Sequence, residues 1–331
     1  MKRLKTVIAI FHRGKVWNLP DRWIKEIIKR CPAAEVVNVK NRKELEREIV
    51  DAEVYFGRAF LGDFIHKARK LRWVHSPAAG VERYPIPELM ALNIGFTNSR
   101  GLLDEPISDY VIGAILFFAR SLHLAYRFQL EGKWGQFDIL SREGYFELSG
   151  KTLGIVGYGG IGKKVAEKGT CLGMKVITTR RSIKKANHPS EVITIIPKDK
   201  LPLLLTKSDF VVLSLPLTPE TEGLIGEREL SIMKKSAYLI NIARGKLIDY
   251  AALINFLSRR KIAGAALDVF PEEPLPEKSP LFSLENVLIT PHISWISPDY
   301  WERAVALFIK NFNRFLNGEP LINLVNKKLG Y

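Results

Sequence analysis

Three groups from separate parts of the chain could together move a proton and hold an anion: Arg244, Glu273 and His292. Each lies just past a short apolar run. Arg244 follows Leu239-Ile240 in NIARG, Glu273 follows Ala263–Leu267 in DVFPEEP, and His292 follows Ile289 in TPH. A single arginine or glutamate in a loop is usually only solvated. Three such groups at strand ends are harder to dismiss, because open α/β sheets bind ligands beyond the carboxyl ends of their strands. An imidazolium donates a proton, and as neutral imidazole it takes one back. A carboxylate on its other ring nitrogen orients the ring and favours the charged form. A guanidinium holds an anion and gives fixed positive charge as an alkoxide develops. The set suits reduction of a 2-keto acid, whose carbonyl adjoins a carboxylate.

Such a reduction needs a hydride, and the stretch LGIVGYGGIGKKVA, Leu153 to Ala166, offers a place for its carrier. The apolar run Leu153–Val156 reads as a buried parallel strand. Gly157, Gly159 and Gly162 then form G-x-G-x-x-G, with Tyr158, Gly160 and Ile161 between them. The first glycine permits the turn, the second lets backbone approach a pyrophosphate, and the third lets helix pack on strand. The anion would rest on the N–H groups and positive dipole end of a helix starting near Gly160. With strand before and helix after, the motif predicts dinucleotide binding. Some 20 residues past these glycines, where an acidic residue would bond the ribose of NAD(H), the chain has Arg180 and Arg181. A guanidinium pairs with a 2′-phosphate, so NADP(H) is the expected cofactor and NAD(H) the alternative. Pro216-Leu217-Thr218-Pro219 reads as a rigid loop walling the nicotinamide.

Strand and helix alternate through both halves. In residues 1–98, Val7–Ile10, Val36-Val37, Val54–Phe56 and Leu71–His75 read as strands. A helix capped by Asp21, a helix Leu45–Ile49 and a helix Phe64–Ala68 fall between them. Pro77 to Glu82 reads as a small-residue turn able to form an anion nest. Asn98–Gly101 reads as a hinge, followed by one long apolar helix from Pro106 through Leu122. The second half repeats the alternation, and a last helix runs from about Pro298 to Leu316. The expected fold class is α/β: two doubly wound parallel-sheet domains, a Rossmann cofactor domain inserted in a flavodoxin-like substrate domain. The expected boundaries are 1–100 with 295–331 for the substrate domain and 101–294 for the dinucleotide-binding domain.

The 331 residues, 47% hydrophobic and 26% charged, have an ordinary globular composition for about two domains. No apolar run reaches the ~18 residues of a bilayer span. MKRLKTVIAIF is read as a first strand, not a leader, because its apolar run is short and lacks a cleavage site. The net charge of +15 is spread along the chain, which argues against nucleic acid as a partner. Cys31 and Cys171 have no metal-ligand spacing and read as free thiols of a reducing, cytoplasmic compartment, with a disulfide between them left open.

The stretches GYGGIG (157–162), SLPLTPETEGLIG (214–226), NIARGKLID (241–249), GAALDVFPEEPL (264–275) and ITPHISW (289–295) resemble the D-isomer-specific 2-hydroxyacid dehydrogenases. The resemblance covers essentially the whole chain. It implies Arg244, Glu273 and His292 as catalytic residues. For the cofactor it implies Leu215, Pro216, Thr221, Ile242, Ala243, Arg244, Asp268 and His292 beside the glycine turn, with Asp268 on the nicotinamide amide. For the substrate it implies the backbone of Ala78, Ala79 and Gly80, with Arg244 and His292. It implies no metal, a homodimer formed through the long helix, and a small 2-keto or 2-hydroxy acid as substrate. The arginine pair resembles the NADP-using glyoxylate and hydroxypyruvate reductases. The family also contains dehydrogenases of other D-2-hydroxy acids, such as 3-phosphoglycerate, and dinucleotide-sensing corepressors. Ser294 and bulky Trp295 depart from the small residues that commonly follow the family's histidine. Trp295 therefore either narrows the pocket or packs the returning helix.

Overall fold

A computed structural model describes residues 3–12, 18–141 and 145–326. The chain divides into two compact units: Met1–Leu102 with Ser297–Tyr331, and the contiguous Leu103–Ile296.

The first unit is built on a parallel five-stranded sheet. Its strands are β1 (Leu4–Ala9), β2 (Ala34–Asn38), β3 (Val54–Gly57), β4 (Trp73–His75) and β5 (Gly95–Thr97). Their order, β2-β1-β3-β4-β5, is that of flavodoxin. Short apolar runs form these strands because both faces are covered. One face packs Phe56 and Trp73 against Phe308 of the terminal helix Tyr300–Leu316. The Phe56 and Phe308 rings stack at 4.4 Å between centroids, and Trp73 stacks on Phe308 at 5.4 Å. Asp21 opens its helix but does not cap it; the cap position is Pro20, with no side-chain bond. The segment read as a helix at Phe64–Ala68 is two 3₁₀ turns, Ala59–Asp63 and Ile65–Lys67.

The end of β4 holds a fully buried imidazole. His75 Nδ1 lies 2.7 Å from Thr97 Oγ1, which also accepts Trp73 Nε1–H at 2.9 Å. Among the described residues its Nε2 has no hydrogen-bond partner. Burial pushes the His75 pKa down from 6.5 to about 3. The folded state therefore holds this proton less readily than the unfolded chain. The linked stability is whole above about pH 6.5 and is lost as pH falls toward 3. Urea midpoints measured from pH 7 to pH 4 should show wild type losing about 1.4 kcal/mol per pH unit more than His75→Phe. Parallel curves for the two proteins would remove His75 as the source.

The second unit carries an eight-stranded sheet: β6 (Thr152–Val156), β7 (Lys175–Arg180), β8 (Asn187–Ser190), β9 (Ile193–Pro197), β10 (Phe210–Leu213), β11 (Tyr238–Asn241), β12 (Gly264–Leu267) and β13 (Val287–Ile289). The order is β13-β12-β11-β10-β6-β7-β9-β8. Every pairing is parallel except β8 with β9. Running outward from β6 in both directions, this is the Rossmann order with an added strand at each edge. The long helix expected from Pro106 through Leu122 is two helices, Asp104–Ala119 and Leu122–Leu130, bent by 72°. Ser121 lies between them in the left-handed region, at φ +53°. The first of these helices is core: Val111, Ile115 and Phe118 pack under β6 and β10 with Leu153 and Phe210. Among the described residues no single helix is long and apolar enough to cross a membrane. Both cysteines are free thiols, Cys31 buried and Cys171 exposed.

Candidate active site

The glycine-rich turn follows β6 directly. Gly157 has φ +107°, and a Cβ there would come 2.6 Å from Ser214 O. At Gly162 a Cβ would overlap Gly157 O, which already accepts the Ser214 hydroxyl at 2.7 Å. These two glycines thus let the helix Gly160–Cys171 seat against β6 and β10. Gly159 differs: no protein atom lies within 4 Å of where its Cβ would stand. It is the helix N-cap and has no side-chain bond to give. Open space beside uncapped helix N–H groups is the cradle a dinucleotide diphosphate requires, so the residues fit that group.

The end of β7 is tied to this turn. Thr179 Oγ1 accepts Gly157 N–H at 3.2 Å, and Thr179 O accepts Tyr158 N–H at 3.1 Å. The tie places Arg180, last residue of β7, beside the turn, with Arg181 next to it; both are exposed. Burial raises the Tyr158 pKa, Glu167 adds to this, and the Arg180 charge opposes it. Leu215 to Thr221 is a self-braced loop. Thr221 Oγ1 donates to Pro216 O and accepts Thr218 N–H, both at 2.8 Å.

The imidazole–carboxylate pair forms as its residue types suggest. His292 Nδ1 lies 2.8 Å from Glu273 Oε2, with side chains 44% and 29% exposed. Glu273 Oε1 accepts Phe270 N–H at 3.0 Å, so the carboxylate is itself aimed. With Nδ1 engaged, Nε2 is the nitrogen left for proton exchange. Arg244 follows β11 in extended backbone, and its Nη1 donates to Ala243 O at 2.6 Å. Asn241 locks this bend, accepting Ala243 N–H at 3.1 Å and donating to Arg244 O at 2.9 Å. Ile242 and Ala243 are buried within it. Gly245 explains how the arginine loop reaches the glutamate loop. A Cβ on Gly245 would overlap the peptide joining Phe270 and Pro271. The two loops pack backbone to backbone.

Sequence reasoning did not show what holds the histidine. His292 has φ +55°, a left-handed conformation that costs an L-residue about 1 kcal/mol. Asp268 maintains it. This wholly buried carboxylate takes the Thr290 hydroxyl at 2.6 Å and Ile293 N–H at 2.8 Å on Oδ1, and Ser294 N–H at 3.0 Å on Oδ2. Thr290 Oγ1 accepts in turn from the Tyr110 hydroxyl at 2.7 Å, whose pKa burial pushes up to about 12. The resemblance assigns Asp268 to the nicotinamide amide; in the structure its carboxylate braces the histidine loop. Trp295 Nε1 donates to His292 O at 2.7 Å. That bond fastens the histidine's own peptide, a use weighed in neither sequence reading. The signal available in sequence was only an aspartate directly after β12.

Ala78, Ala79 and Gly80 belong to the other unit and are described within it. Ala78 N–H is taken by Ser76 Oγ at 3.1 Å. Ala78 O accepts Ser99 N–H at 3.1 Å, and Ala79 O accepts the Asn98 side chain at 2.8 Å. Tyr300 donates its hydroxyl to Pro77 O. These bonds tie the loop down, and Ala78 has no N–H to spare.

A Rossmann sheet with an open diphosphate cradle, bearing a His–Glu pair at its strand ends, defines an oxidoreductase that uses a nicotinamide dinucleotide. Residues 112–294 match the profile described as "D-isomer specific 2-hydroxyacid dehydrogenase, NAD binding domain". The chain belongs to that family. It is an NAD(P)-dependent enzyme acting on CH–OH donors, with small 2-hydroxy or 2-keto acids as substrates. A glyoxylate reductase of Korarchaeum cryptofilum is 37% identical over 282 residues, covering 85% of this chain and 80% of its own. A D-3-phosphoglycerate dehydrogenase of Methanocaldococcus jannaschii is 33% identical over 304 residues, 91% of this chain and 57% of its own. The solved D-isomer specific 2-hydroxyacid dehydrogenase of Xanthobacter autotrophicus, in complex with NADPH and MES, matches with TM-score 0.82 and 26% identity over 100% of both chains.

Proposed function

We propose that the enzyme reduces glyoxylate or hydroxypyruvate to the D-2-hydroxy acid with NADPH. The observation that carries the acid–base assignment is the 2.8 Å contact of His292 Nδ1 with Glu273. The bound nicotinamide supplies hydride to the carbonyl carbon. His292 gives its Nε2 proton to the carbonyl oxygen as charge develops there, and Glu273 holds the ring oriented through Nδ1. Arg244 binds the substrate carboxylate and the developing alkoxide. Arg180 and Arg181, exposed at the end of β7, would pair with the 2′-phosphate of NADPH and so favour it over NADH. Support for the substrate comes from the glyoxylate reductase relatives.

A steady-state panel of 2-keto acids against both cofactors tests this reading. Glyoxylate and hydroxypyruvate should rank first, with kcat/KM at least tenfold higher for NADPH than for NADH. Arg180→Ala with Arg181→Ala should erase that preference, mostly through the KM for NADPH. An enzyme preferring NADH, or turning over 3-phosphohydroxypyruvate best, would refute the assignment.

The working form is proposed to be a homodimer. Leu122, Tyr126, Leu130, Trp134, Phe137 and Leu140 form a run of exposed apolar side chains, with Trp134 87% and Phe137 78% exposed. Such a surface is uncommon on a monomer and fits a self-complementary contact. Light scattering should give twice the mass of the 37.5 kDa chain; a monomer at micromolar concentration would exclude the dimer.

A further inference from the structure

A carboxylate from a neighbouring helix meets the glycine-rich turn. A Cβ at Gly160 would overlap Asp104 Oδ2, and would stand 2.7 Å from Asp104 Cγ and 2.9 Å from Oδ1. The Asp104 carboxylate therefore rests against the Cα of Gly160, in the first turn of the helix Gly160–Cys171. That first turn has no acidic residue of its own, and Gly159 provides no side-chain cap. Asp104 begins a different helix, Asp104–Ala119. Its place is fixed by the packing of these two helices. Lys168 spans them, 2.9 Å from Glu105 Oε1 and 2.5 Å from Asp109 Oδ1. Asp104 is only half-buried, but the backbone that carries it is anchored.

We infer that Asp104 sets the affinity of this enzyme for its dinucleotide, holding the positive pole of the helix until the cofactor's diphosphate arrives. The inference rests on the reading of this unit as the dinucleotide site. A helix N-terminus carries about half a positive charge. A full negative charge placed against its first residue outweighs that pole. The cofactor then brings two further negative charges to the same turn. Like charges a few ångströms apart weaken binding even at the dielectric of a protein surface. Asp104 thus stabilises the helix when the cofactor is away and loosens the cofactor when it is bound. A reductase must exchange its spent dinucleotide at each turnover, and a loosened grip keeps that exit fast.

Asp104→Asn keeps the shape and removes the charge. NADPH titrations followed by fluorescence, at low and at near-physiological salt, read the effect without turnover. At low salt the variant should bind NADPH on the order of tenfold more tightly than wild type. The gap should narrow as salt screens the repulsion. The cofactor-free variant should melt lower by about two degrees, because it loses a favourable charge at the helix start. Asp104→Ser carries the same test if the asparagine variant does not fold. A lower melting temperature with unchanged or weaker NADPH binding makes Asp104 a cap only and overturns the inference. If wild type binds neither NADPH nor NADH, the dinucleotide reading fails first and takes this inference with it.

Discussion

His292→Gln should lower kcat for keto-acid reduction by about a thousandfold, the middle of the range for losing a positioned general acid. Glutamine keeps similar length and polarity but has no group that titrates near neutral pH. The hydride would still be delivered, yet the alkoxide would have to take its proton from water. Glu273 would face an amide in place of the imidazole nitrogen it now holds at 2.8 Å. NADPH binding, read by fluorescence, should persist, since the glycine turn lies on β6 and the histidine follows β13, at opposite flanks of β10, β11 and β12. The loss should therefore appear in kcat with little change in cofactor affinity. A variant retaining more than a tenth of wild-type kcat would mean that another group donates the proton. Glu273→Gln should fall less, because the imidazole remains and only its orientation is weakened.

Asp268→Asn is expected to damage both stability and turnover. The carboxylate accepts three donors through two oxygens in a fully buried position. An amide has one oxygen. Whichever way it turns, its NH₂ faces a donor, and at least one buried N–H or hydroxyl is left unpaired. Each unsatisfied group of this kind costs about 1–3 kcal/mol. For a protein of this size that corresponds to a drop in Tm of several degrees. The same bonds hold Ile293 and Ser294 in place after the left-handed His292. Without them the histidine relaxes toward ordinary backbone, and kcat should fall about a hundredfold through misplacement of the imidazole. A purely structural aspartate predicts the thermal shift with kcat, measured well below Tm, within threefold of wild type. That outcome would sink the bracing role.

Local chemistry made much of this legible in advance. Each apolar run that became a parallel strand is short and buried on both faces, so hydrophobicity alone marks it. The glycines at 157 and 162 are legible because their roles are steric and local. Glu273 and His292 are legible only in company: either alone reads as a solvated loop residue, and it is their following different strands of one sheet, with Arg244, that singles them out. The break at Ser121 is not: no glycine or proline marks it, and both flanking helices are apolar. The edge strand β8 is Asn-His-Pro-Ser, fully exposed, with no alternation to read. The bonds of Asp268 are missed for another reason. Its partners lie 22 to 26 residues away, and only the register of β12 beside β13 delivers them. The contact of Asp104 with Gly160 depends likewise on two helices packing, which no local pattern encodes.

The interrupted layout has a consequence for synthesis on the ribosome. Phe56 and Trp73 are made early, but the ring that covers them, Phe308, belongs to a helix made after all of Leu103–Ile296. Val325, whose N–H bonds Phe96 O at 2.8 Å, comes later still. The nascent chain thus carries an uncovered aromatic surface while the contiguous unit behind it can already close. Such a surface is sticky, and shielding by a chaperone during that interval is the natural remedy. Ribosomes stalled just before the codons for Tyr300–Leu316 would display that exposed state.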